Sequence, residues 1–177
     1  VYLPGEEVSQ EFRDSKPYLI ITPSEYTEKL FPTLSKFLDP NRPDRQAEAG
    51  SRDWMIMRLA ETYLIAAEAH INMGNTEEAA EHINVVRRRA AREGMEEAME
   101  VTAAEVDIDY LLDERARELV GEMHRWFDLT RTGTLVDRVR AHNPQAAPNI
   151  QEFHNLRPIP QDQIDRTEGA FGQNEGY

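Results

Sequence analysis

Trp54-Met55-Ile56-Met57-Arg58-Leu59-Ala60-Glu61-Thr62-Tyr63-Leu64-Ile65-Ala66-Ala67-Glu68-Ala69-His70-Ile71-Asn72-Met73-Gly74-Asn75 is the stretch that decides the fold. From Trp54 to Met73 it holds neither Gly nor Pro. Leu59, Tyr63, Ala66 and His70 recur at helical spacing on one face, and Ile56, Ala60, Leu64, Ala67 and Ile71 on another. A helix that is apolar on two faces is expected to lie between neighbours. Gly74 stands where a left-handed C-terminal cap is wanted. Asn75 is a good N-cap, and Glu78 follows in the capping-box position. A second helix is then expected to about Ala91, with Ala79, Ile83, Val86 and Ala90 inward. Two antiparallel helices with a very short turn follow.

Downstream, residues 93–106 are charged and read as loop, with a turn near Thr102. Asp107 caps an expected helix from Ile108 to Val120, with Leu111, Leu112, Arg115 and Leu119 inward and Gly121 at its end. His124 to Arg131 reads as a short aromatic helix closed by Gly133, and Leu135 to Ala141 as one more. From Asn143 the prolines at 144, 148, 158 and 160 predict an extended or looped tail. Upstream, Pro at 4, 17, 23, 32, 40 and 43 breaks regular structure repeatedly. Tyr18-Leu19-Ile20-Ile21 suits a short strand, Ser24 to Leu30 one or two helical turns, and Lys36 to Pro43 an ordered loop. The expected organisation is therefore an irregular, loop-rich segment over 1–53 and a helical region over 54–177. The fold class is mainly α, a tetratricopeptide-like hairpin plus further helices with long irregular segments.

The hairpin has the small residues (Ala66, Ala67, Ala69, Ala79) and turn glycine of one tetratricopeptide unit. A generic helical hairpin is the plain alternative. One unit cannot bury both faces alone, and no second copy is present, which fits a longer protein. The opening Val1-Tyr2-Leu3-Pro4 carries no export signal and reads as a cut inside such a protein.

A formal net charge of −13 over 177 residues argues against nucleic acid and against docking on anionic lipid. An acidic surface also suits a saline habitat. With no cysteine, disulfides and thiolate metal sites are excluded within the chain. The five histidines (70, 82, 124, 142, 154) lack metal-ligand spacing, and His70 is expected to be buried and hydrogen-bonded. There is no phosphate-cradling loop, nucleophile elbow or dinucleotide fingerprint, so no cofactor is expected. No apolar run approaches the ~18 residues of a membrane span.

The most distinctive stretch is Glu114-Arg115-Ala116-Arg117-Glu118-Leu119, followed by His124-Arg125-Trp126-Phe127-Asp128-Leu129-Thr130-Arg131. Charges three and four apart pair along a helix. Arg58, Glu61, Glu68, Glu114, Arg115, Glu118, Arg125, Asp128 and Arg131 are read as a structural ion-pair network. Glu122 with Asp128 offers a carboxylate pair for glycoside hydrolysis. A general acid needs an apolar pocket, though, and here arginines crowd the carboxylates, so no catalytic residue is assigned and a non-enzymatic role is expected. Aromatic and polar side chains in the loops are the ligand candidates: Tyr18, Phe37, Asn41, Arg42 and Trp54.

Four of these stretches together resemble the C-terminal region of the SusD/RagB family. They are Arg58 to Ala69, the Glu114–Arg131 signature, Arg157-Pro158-Ile159-Pro160, and the closing Gln173-Asn174-Glu175-Gly176-Tyr177, where Glu175 stands in place of the family's usual Pro. The resemblance implies a lipoprotein on the outer face of a Bacteroidetes-type outer membrane, anchored through a cysteine upstream of this chain. It implies non-catalytic binding of glycans or related nutrients, with an oligo- or polysaccharide as ligand. It also implies a SusC-like TonB-dependent transporter barrel as partner. The matched motifs are scaffold, so no binding residue is carried over from them. A helical protein-protein interaction scaffold is the alternative.

Overall fold

The computed structural model describes residues 1–27, 29–44 and 46–177. The chain divides into two compact units, Val1–Trp54 and Met55–Tyr177.

In the first unit, α1 (Gln10–Asp14) is capped by Ser9, whose hydroxyl accepts from Phe12 N at 3.2 Å. Sequence periodicity missed this helix because it is five residues long and buries none of them. The expected strand at Tyr18–Ile21 is reduced to an isolated parallel bridge between Tyr2 and Ile20. Tyr2 N donates to Leu19 O at 2.8 Å and Ile21 N to Tyr2 O at 3.1 Å, and no longer ladder follows. The expected helical turns after Ser24 are a single 3-10 turn, Pro23–Glu25, and an antiparallel bridge joins Thr27 to Leu30. Glu25 closes that turn by accepting from the Thr22 amide and hydroxyl, each at 3.0 Å, and from Arg13 Nη2 at 3.0 Å. These bonds, led by the Thr22 amide, hold the Glu25 carboxyl down at about 2.

The second unit is helical. It contains α2 (Leu59–Met73), α3 (Thr76–Ala90), α4 (Ile108–Glu118), α5 (Arg125–Arg131), α6 (Leu135–His142) and α7 (Gln161–Arg166). Gly74 adopts φ 79, and its turn lets Asn75 N reach back to His70 O at 2.9 Å. Asn75 precedes α3, but its side chain makes no capping bond, so the capping box expected with Glu78 does not form. Its backbone (φ −95, ψ 71) is bent by the immediate reversal after Gly74. Leu64, Ala67, Ala79, Ala80, Ile83 and Val86 close the hairpin, and Val101, Val106, Leu111 and Leu119 complete that core. A second cluster, Leu112, Leu129 and Leu135, ties α4, α5 and α6 together. Each fully buried Leu or Ile is worth about 1.5–3 kcal/mol of transfer free energy. No described helix is long and apolar enough to cross a membrane.

Several boundaries differ from expectation for identifiable reasons. α2 starts at Leu59, not Trp54, because Arg58 is extended (φ −140, ψ 161) while its guanidinium reaches into α4. Ile56 is therefore 86% exposed, while the Ala60–Leu64–Ala67–Ile71 face of α2 packs into the core. On the other face Leu59 is exposed, Tyr63 packs against the core, and Ala66 and His70 are half-buried. Ala90 is exposed, and Asn84 is buried instead, where it clamps Val101 through Nδ2 to O at 2.9 Å and N to Oδ1 at 2.8 Å. α4 ends two residues early, at Glu118. The tail contains α7, started by Pro160 and joined to the C-terminus through Gln173, whose amide pairs both N and O of Ile159 at 2.7 and 2.8 Å.

Candidate functional site

Within the first unit, the loop from Phe37 to Trp54 is organised by one carboxylate. Asp39 is followed by Pro40, and the chain turns over its side chain. Oδ1 accepts from Asn41 N at 2.9 Å, and Oδ2 accepts from Ser51 N at 2.7 Å and from the Ser51 hydroxyl at 3.2 Å. Those amides hold the Asp39 carboxyl below its ordinary range, Asn41 contributing most. Gly50 lies against it; a Cβ there would stand 3.1 Å from Asp39 Oδ2. Arg52 Nη1 closes the loop on Leu38 O at 3.1 Å.

Residues 17 positions apart are thereby brought together. The rings of Phe37 and Trp54 stack at 4.3 Å between centroids, 14° from parallel. Trp54 remains 57% exposed, so one face is paired and much of the indole is open. Arg42 spends one N–H on Ala47 O at 2.9 Å. Phe37 and Arg42 line a recess of about 260 Å³ with Asp39, Glu48 and Gly50, and Asn41 is exposed beside Asp39. Tyr18 is not part of this cluster: its ring packs edge-on against Tyr2 at 6.3 Å. Asp39, Glu48 and Gly50 went unnoticed in the sequence. The Asp-Pro-Asn turn at 39–41 was the available signal, because Asp beside a turn bonds backbone two residues on.

Phe37 lines the recess together with the Arg42 guanidinium and the Asp39 and Glu48 carboxylates, and an aromatic ring beside such polar groups suits a polyhydroxylated ring, with C–H groups on the π face and hydroxyls on the polar groups. Among the described residues, no group of three or more His, Asp or Glu side chains could hold a metal ion.

The second unit carries the arginine-carboxylate lattice. Arg58 Nε contacts both oxygens of Glu122 at 3.0 and 2.8 Å, and Nη1 and Nη2 take Glu118 Oε1 and O at 2.5 and 2.7 Å. Glu122 leads the causes that raise the Arg58 pKa. Arg115 Nε bonds Asp128 Oδ2 at 2.7 Å, both residues being buried, and lies 4.0 Å from Glu61. Arg131 bridges Asp128 at 2.9 Å to Glu68 at 2.7 Å. Arg87 pairs with Glu114 at 2.6 Å. Arg125 donates to the Leu112 carbonyl at 2.7 Å, and burial lowers its pKa. Glu122 and Asp128, the pair weighed for hydrolysis, are each engaged by arginine, which favours the ionised form over a proton donor. His70 departs from expectation: its Nδ1 is buried with no hydrogen-bond partner among the described residues, and its ring lies 5.2 Å from that of His82.

Residues 9–177 match the model of the SusD family. The chain is 34% identical to the SusD-like protein P25 of Formosa agariphila over 137 residues, 73% of this chain and 25% of that protein. It is 31% identical to the starch-binding protein SusD of Bacteroides thetaiotaomicron over 140 residues, 77% of this chain and 24% of that protein. The chain thus spans about a quarter of the length of the curated relatives it matches. With the match running through Arg58, the Glu114–Arg131 signature and the Gln173–Tyr177 tail, the chain belongs to the SusD family.

Proposed function

We propose that the protein carrying this chain binds oligo- or polysaccharide at the cell surface without cleaving it, and passes it to a SusC-like TonB-dependent transporter barrel in the outer membrane. The Phe37–Trp54 stack beside Arg42 is the observation that carries the reading for this chain. Family membership and a relative named as starch-binding support it. In this reading Trp54 offers its open face to a sugar ring, Arg42 and Asn41 bond hydroxyls, and the helical unit is scaffold. The protein is held to the outer leaflet by a lipid on an upstream cysteine.

The test is a polysaccharide screen by affinity electrophoresis with the complete protein that carries this chain. Retention by at least one glycan is expected, reduced several-fold by Trp54→Ala or Arg42→Ala. Retention by no glycan defeats the reading; retention indifferent to both substitutions moves the site out of this loop.

A protein-interaction scaffold is favoured by a separate feature, an apolar recess of about 350 Å³ between α2 and α3 lined by Leu59, Ala60, Tyr63, Val85 and Val86. Capture of a soluble protein partner that is lost on Leu59→Asp, together with no glycan retention, selects it.

A further inference from the structure

Two uncompensated features meet where the C-terminal half of α4 faces the start of α5. Arg115 is 3% exposed, and Nη1 is buried without an acceptor among the described residues. His124 lies 3.5 Å from Glu61 through Nδ1, and its Nε2 is likewise buried without a partner. Buried donors are almost always satisfied, so two unsatisfied ones in neighbouring side chains call for an explanation. Between them in sequence, Met123 holds φ 66, the positive-φ non-glycine residue of the described chain. Such backbone persists only where the surroundings impose it, and it gathers at ligand sites.

Arg115 and His124 share the lining of a cavity of about 550 Å³. Its walls carry three arginines (115, 125 and 157) against one carboxylate, Asp128. Asp128 is already taken by Arg115 and Arg131. In a chain of formal net charge −13 this is a local reversal of sign. The rim is apolar: Met123 is 78% and Phe127 64% exposed, and Trp126 lies 5.7 Å beneath the Arg157 guanidinium.

We propose that this cavity binds a carboxylate carried on an apolar or aromatic body. The carboxylate accepts from Arg115 Nη1, and from His124 Nε2 where that nitrogen carries the ring proton. The body packs on Phe127, Met123 and Trp126. Because both donors are covered, entry shifts the segment from Gly121 to His124, whose left-handed positions are Gly121 (φ 80) and Met123. Donor-rich floors with apolar walls are the usual build of a small-molecule site, and charge-assisted bonds supply the preference for an acid over a neutral analogue. The proposal stands apart from the glycan reading, which concerns the first unit.

The test is titration of the protein with phenylacetate, with 2-phenylethanol and acetate as controls for body and charge, at constant ionic strength. Chemical shifts of the Met123 methyl and the Arg115 and His124 side-chain N–H groups are followed by NMR. Saturable shifts with phenylacetate, about tenfold weaker with either control, are expected. Phe127→Ala, on an exposed ring that leaves the ion pairs untouched, is expected to weaken phenylacetate several-fold at unchanged Tm. Non-saturating shifts, an equal response to 2-phenylethanol, or full affinity in Phe127→Ala would overturn the proposal.

Discussion

Replacing Arg58 with alanine is expected to destabilise the helical unit by about 2–4 kcal/mol, and the number follows from the geometry. Arg58 stands where extended chain turns into α2, and its guanidinium spans to the last turn of α4 and the residues after it. Four N–H···O contacts are lost: two to Glu122, one to the Glu118 carboxylate and one to the Glu118 carbonyl. Side-chain exposure is 18% for Arg58, 10% for Glu118 and 5% for Glu122, so these groups are largely withdrawn from water. Breaking a buried pair from one side costs about 3–5 kcal/mol. Residual exposure of the guanidinium and the second arginine on Glu118, Arg89, lower that figure. Arg58→Lys keeps the charge but not the planar fork, so it serves one carboxylate and costs about half as much, roughly 1–2 kcal/mol. The assay is urea unfolding at equilibrium with a double-mutant cycle against Glu122→Gln. A coupling energy above about 1 kcal/mol is expected, well beyond the roughly 0.3–0.5 kcal/mol within which independent sites add. Arg58→Ala within about 0.5 kcal/mol of wild type, or Arg58→Lys indistinguishable from it, would refute the view that this fork joins α2 to α4.

Asn84→Ala leaves the buried Val101 N–H and C=O without the clamp that binds both, and at about 1–2 kcal/mol for each group the loss in unfolding free energy is about 2–4 kcal/mol by urea titration. Gly176→Ala drives a Cβ into the Phe153 ring at φ 93; proteolysis of the 153–177 tail should accelerate and the Tyr177 hydroxyl bond to Leu156 O (2.8 Å) should break, and an unchanged cleavage rate would show the tail holds by other means. Glu25 has a folded pKa near 2, below its ordinary 4.5, so its contribution is fully present above pH 4.5 and drains away as pH falls toward 2. The protection factor of the Thr22 amide should fall across that window, and in Glu25→Gln it should stay level.

The helical part was legible because its information is periodic. Leu64 and Ala67 stand three apart, Ala79 and Ile83 four, and Leu111 and Arg115 four, and all are buried. Gly74 announces a left-handed cap from its residue type alone. What failed was set by contacts distant in sequence. Nothing local shows that Arg58 will be pulled straight by glutamates 60 and 64 positions on, so the start of α2 was placed five residues early. Asn84 is buried because it binds the backbone of Val101, 17 positions on, which no local pattern shows. α1 and α7 bury nothing, so no apolar period marks them.

The loop from Phe37 to Trp54 follows a different logic: residue type alone does not show how Phe37 and Arg42 come to line one recess or how Phe37 comes to stack on Trp54. Loop residues from 37 to 54 carry little apolar surface to drive them together; Asp39 is the buried residue that holds them, through backbone amides at 41 and 51. A carboxylate accepting from main chain fixes the loop while leaving other side chains free to be anything that fits the turn. Under the proposed function, changing Asn41 or Glu48 alters what the recess recognises while the Asp39 bonds that close the loop stay in place, whereas Arg42 also donates to the Ala47 carbonyl and serves both roles. The family match runs over residues 9–177 and covers loop and lattice alike, so on that proposal ligand choice resides in loop side chains that packing leaves open.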